Sequence, residues 1–136
     1  MKITAAVGEL QPARRTGARA FERFTGPQIR RFFKRARAAY EGTDRIHLVS
    51  SFLASLLAGR HAALDPADAS GMNLMDLVTR EWWPPAVDAT APGLLPKLPP
   101  IVEPWTCIGG LAPYWQIRYG FPPAQVILMN RHARAV

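Results

Sequence analysis

Five prolines between Ala91 and Pro104 do most to limit the folds open to this chain. Pro92, Pro96, Pro99, Pro100 and Pro104 each lack a backbone donor and fix φ, so neither a helix interior nor a central strand can run through them. The stretch is expected to cross the surface as an extended connector, with regular structure confined to either side of it.

Before the connector the patterning is helical. From Pro27 to Tyr40 the apolar residues Ile29, Phe32, Phe33, Ala36 and Tyr40 recur at three- and four-residue spacing, separated by arginines and a lysine. One amphipathic helix ending near Gly42 is predicted. Thr25 can serve as its N-cap, Pro27 loses nothing in the first turn, and Gln28 follows the threonine at capping-box spacing. The run Ile46 to Ala58 is apolar on several sides and closes at Gly59, so it reads as a mostly buried helix. Asp65 to Gly71 is turn-forming, and Met72 to Asp76 alternates as a short strand would. Thr79 can cap a further short helix, which Pro84 and Pro85 interrupt until about Ala86.

After the connector the pattern is mixed. Thr106-Cys107-Ile108 is expected as a strand, Gly109-Gly110 as a turn, and Leu111 to Tyr119 as a helix ending at Gly120. Gln125 to Met129 reads as a buried strand of a parallel or mixed sheet. The class is α/β: helices with a few short strands. A βα chain would continue past Met129 with a crossover helix and another strand, but Asn130 to Val136 carries neither pattern. The sheet reads as incomplete.

Composition narrows the function classes. At 136 residues and 49% hydrophobic content the chain can bury a core as one domain or part of one. Its longest apolar run falls short of the roughly 20 residues of a membrane span. The opening Met1 to Glu9 meets a glycine and an acid before any signal-peptide core develops, so a cytoplasmic protein is expected. The single cysteine, Cys107, excludes an internal disulfide and reads as a small buried apolar residue. His47, His61 and His132 are scattered without ligand spacing, and Asp65, Asp68 and Asp76 read as turn-forming carboxylates that bond their own backbone. Trp82, Trp83, Trp105 and Trp115 are expected to pack a core.

The formal charge of +7 raises an anionic substrate or nucleic acid as partners, with much of the excess in Arg30, Arg31, Lys34, Arg35 and Arg37. That run lacks the exposed aromatics of a single-strand binder and reads as a solvated face. The loop from Thr16 to Gln28 is the place to look for a ligand: it is glycine-punctuated, tied at its far end to a helix start, and carries Arg19 and Arg23. A guanidinium held there can donate directed hydrogen bonds to an oxygen-rich ligand, or simply meet solvent or a nearby carboxylate.

Three long blocks carry a family resemblance: Thr16 to Ile29 with its Phe24-Thr25-Gly26 triplet, Arg45 to Leu56, and Asp68 to Leu74. Ala89 to Pro92, Gly109 to Tyr114 and Arg118 to Pro123 continue it in order and register. The chain so resembles the xylulokinases of the FGGY carbohydrate kinase family from about Ile3 to Met129. That resemblance implies a ribonuclease H-like (actin-like ATPase) fold, of which residues 1–129 would be the latter part of the first domain and 130–136 an unmatched tail.

In the full-length family it further implies ATP- and Mg²⁺-dependent phosphorylation of D-xylulose, with both domains lining the cleft. The family's opening phosphate-binding segment and its nucleotide-binding second domain have no counterpart here. Where relatives place a Gly-Asp-Asn motif with the general base, this chain reads Asn130-Arg131-His132. No catalytic or cofactor-binding residue transfers. The residue before Phe-Thr-Gly touches the sugar in related kinases, which makes Arg23 the substrate contact, with Arg19 second, and gives the Asp68 to Leu74 block a structural role. The expectation is a kinase fragment inactive alone. The alternatives are a half that complements a separate kinase polypeptide and, less favoured, a basic nucleic-acid-binding domain.

Overall fold

The computed structural model describes residues 11–127, so the strand end at Leu128 and Met129, the segment 130–136 with His132, and residues 1–10 lie outside the described part. The chain divides into two compact units, one of residues up to Ile46 with Asp68–Leu98, the other of His47–Ala67 with Pro99 onward.

In the first unit α1 spans Gln11–Thr16, α2 Thr25–Arg35 and α3 Arg37–Glu41, and α6, Pro84–Thr90, lies further along the chain. The single helix expected from Pro27 to Tyr40 is broken at Ala36, whose φ of −137° and ψ of 58° are not helical. The break re-aims Tyr40, which is fully buried, packs edge-on to Phe33 with ring centroids 5.2 Å apart, and donates its hydroxyl proton to the Pro92 carbonyl at 3.0 Å. Burial pushes the Tyr40 phenol above its ordinary value. Lys97 stands over the same ring at 5.3 Å and donates to the Thr43 carbonyl.

Thr25 does not cap α2. Phe24 occupies the cap position without a side-chain bond, and the free Gly26 N–H donates instead to the Met72 carbonyl at 2.9 Å. Gln28 turns back to donate to the Glu22 carbonyl, so the expected capping box is replaced by contacts remote in sequence. A Cβ on Gly26 would lie 3.0 Å from both Met72 O and Leu74 Cδ2, which explains glycine in the triplet.

Met72, Leu74 and Met75 are all buried, so the alternation expected of a half-exposed strand is absent and only an isolated antiparallel bridge, Met75 to Trp82, forms. Thr79 lies in a turn, and α6 begins at Pro84 itself, because prolines in the first turn lack only donors that have no helical partner. Beyond it the proline-rich segment makes one 3₁₀ turn at Leu95–Lys97 and buries Ala91, Leu94 and Leu98 in the core, where a surface path was expected.

In the second unit α4 is Val49–Ala58 and α7 is Pro113–Tyr119, both closed by glycines in the left-handed region, Gly59 at φ 66° and Gly120 at φ 68°. α5, Pro66–Gly71, continues the chain into the first unit. α4 is not the buried helix its composition suggested. Its inner side is Ser51 and Ala54, while Phe52, Leu53 and Leu56 are exposed.

The described sheet is β1, Cys107–Gly110, antiparallel to β2, Gln125–Ile127, and the two glycines expected as a turn lie within β1. This corrects the parallel alternative expected for β2. A single parallel bridge joins Leu64 and Ile101. Ile108 and Val126 face a core with Ala54, Ala62 and Ala63, which puts Cys107 on the outer side of β1, exposed rather than buried. Trp105 is also exposed, whereas the Trp115 indole donates to the Leu56 carbonyl at 2.8 Å.

Candidate sugar-facing loop

The loop between α1 and α2 is fixed by the segment Met72–Asp76. Asn73 sits at φ 62° and is buried, and its amide donates to Thr16 Oγ1 at 2.6 Å and to the Ala18 carbonyl at 3.0 Å. Asparagine suits this place because it tolerates the left-handed conformation and carries two donors. The Thr16 hydroxyl donates onward to Ala18 O at 3.2 Å.

Three residues on, the buried Asp76 carboxylate accepts from Arg15 at 3.0 Å and from the Val78 N–H at 2.8 Å. The Val78 N–H, with those of Thr79 and the Arg15 guanidinium, holds this carboxyl below its ordinary value despite burial. Leu77 N–H closes the loop base on the Arg15 carbonyl at 2.9 Å. The turn-forming reading of the aspartates is met at Asp76 and at Asp65, whose Oδ1 accepts from Ala67 N–H at 2.7 Å.

Anchored so, the loop carries Arg23 to the rim of an open groove of about 620 Å³. Arg23 is exposed, lies 6.0 Å from the Phe21 ring, and pairs with no described carboxylate. The groove is lined by Glu22 and Arg23 from the loop and by Pro27, Gln28, Arg30, Arg31, Lys34 and Arg35 from α2. Arg30 is tied down, donating to the Ala89 and Thr90 carbonyls at the end of α6. Arg19 is exposed on the same loop but outside the groove lining.

The sequence separated Arg23 from the basic run of α2, and the structure joins them. The available signal was spacing: Pro27, Arg30, Arg31, Lys34 and Arg35 share one helical face that begins one turn beyond Arg23. The Asp68 to Leu74 block was expected to be structural, and it supplies part of what holds the loop, Met72 O and the Asn73 amide. His47 and His61, read as scattered, are brought together with ring nitrogens 3.0 Å apart. Among the described residues no three of His, Cys, Asp or Glu gather where a metal could bind.

Solved structures give the class first. The chain superimposes on the xylulose kinase of Rhodospirillum rubrum with a TM-score of 0.84 at 16% identity, covering 95% of this chain and 27% of that one. The fold is that of the actin-like sugar kinases. Residues 2–131 match the FGGY family of carbohydrate kinases, N-terminal domain, and the chain belongs to that family. Among curated relatives it is 46% identical over 121 residues to xylulose kinase 2 of Arabidopsis thaliana, covering 89% of this chain and 22% of that protein. It is 45% identical over 123 residues to the xylulose kinase of Rattus norvegicus, covering 90% of this chain and 23% of the relative. The chain thus spans less than a quarter of the length of these relatives. No described helix is long and apolar enough to cross a membrane.

Proposed function

We propose that this chain forms the sugar-side portion of a cytoplasmic D-xylulose kinase, with Arg23 as the side chain that contacts the sugar and Arg19 as a secondary contact. The observation that carries this is the anchoring of the loop: Asn73, Arg15 and Asp76 fix its base, leaving the Arg23 guanidinium exposed and without a carboxylate partner among the described residues. Such a guanidinium donates to sugar hydroxyls, and a held loop loses less entropy on binding than a free one.

In such a kinase ATP and Mg²⁺ supply the transferred phosphoryl group and the charge neutralisation of its transfer. The nucleotide side is assigned to polypeptide outside the described residues, in the same chain or a complementary one. The chain's own part is to bind and orient the acceptor. Purified chain given ATP, Mg²⁺ and D-xylulose should release no ADP above a sugar-free control, yet titration calorimetry should detect D-xylulose binding. Turnover would overturn the division of labour, and absence of sugar binding would overturn the site.

A further inference from the structure

We propose that the groove on α2 is a binding site for a phosphate-bearing small molecule, held chiefly by Arg31, Lys34 and Arg35. Its lining holds five cationic side chains, from Arg23 to Arg35, against the single carboxylate of Glu22. A neutral sugar cannot use that excess, because hydroxyls need acceptors as well as donors. A phosphate group can, since its oxygens accept several charge-assisted bonds at once and fit the guanidinium fork.

The cations of the groove also form no ion pair among the described residues. Arg15, Arg37 and Arg45 each pair with an acid, whereas Arg31, Lys34 and Arg35 form no ion pair with any described residue. Along α2 the pairs Arg30 with Lys34 and Arg31 with Arg35 stand at i,i+4, where like charges repel, and a bound anion would relieve that repulsion. The walls are already held: Arg30 by the carbonyls ending α6, and Gln28 by the Glu22 carbonyl. A volume of about 620 Å³ suits a small molecule. A nucleic-acid strand would look for aromatic platforms, and none lines this groove.

Titration calorimetry at constant ionic strength tests this, using inorganic phosphate, a pentulose 5-phosphate and a short DNA duplex as probes. The chain is compared with the triple variant Arg31→Gln, Lys34→Gln, Arg35→Gln, whose folding is checked by circular dichroism. Saturable one-site binding of at least one phosphate probe is expected, weakened at least about tenfold in the triple variant. A tighter ester identifies a sugar phosphate as the ligand, and equal affinities identify the free anion. Should the triple variant fail to fold, Lys34→Gln alone is expected to weaken binding about threefold.

Unchanged affinity in the folded variant, no saturable binding of either phosphate probe, or binding of the duplex alone would overturn the proposal. The groove borders the proposed sugar contact at Arg23, but its phosphate contacts are Arg31, Lys34 and Arg35 on α2. D-xylulose binding is expected to survive the triple variant, so the two can fail separately.

Discussion

Replacing Asn73 separates the two tasks the structure assigns to it. Asn73→Ala removes two buried donations, to Thr16 Oγ1 and to the Ala18 carbonyl, each contributing about 1 kcal/mol. It also places alanine at φ 62°, which adds about 1 kcal/mol. Thr16 still donates to Ala18 O, so neither oxygen is left without a partner. The expected loss for alanine is about 3 kcal/mol, and for Asn73→Gly, which removes the bonds but tolerates the backbone, about 2 kcal/mol. At roughly 4 °C per kcal/mol for a chain of this size, Tm should fall by about 12 °C and 8 °C. Urea unfolding followed by tryptophan fluorescence measures both. Equal losses in the two variants would refute the backbone part, and losses below about 0.5 kcal/mol in both would refute the anchoring altogether.

Gly26→Ala forces a Cβ against the Met72 carbonyl and Leu74, and because one neighbour is backbone the strain should destabilise by about 1–3 kcal/mol in the same urea assay. Asp76 has a folded pKa below its ordinary value of 3.8, so its stabilising contribution is complete above 3.8 and is lost as pH falls through the depressed value. Asp76→Asn should flatten the dependence of stability on pH in that acid window, and an unchanged slope would show that the carboxylate is not the group responsible. Cys107, exposed on β1, should react fully with a thiol reagent in the native protein. A reaction that waits for denaturant would restore the buried position its composition suggested.

Elements whose ends depend on one residue's own backbone were legible in the sequence. Gly59 and Gly120 terminate α4 and α7 where left-handed glycines were expected. Features set by distant partners were not. Thr25 failed as a cap because the helix starts one residue earlier, the Gln28 N–H donating to the Phe24 carbonyl and the Gly26 N–H to the distant Met72 carbonyl, and nothing near Ala36 announced the break that precedes Tyr40. α4 is apolar on several sides, so periodicity could not choose which side would be covered, and the covered one is built of small residues. At the site, the arginines and the resemblance marked the loop, but Asn73 as its anchor and the joining of Arg23 to the basic face of α2 required the fold.

The account rests on Arg23 meeting a sugar from an anchored loop. Titration of D-xylulose into the chain and into Arg23→Ala, an exposed change that leaves the anchors intact, tests it most directly. Losing charge-assisted bonds to the sugar should weaken binding at least about tenfold with Tm unchanged. Equal affinity in the two proteins would contradict it.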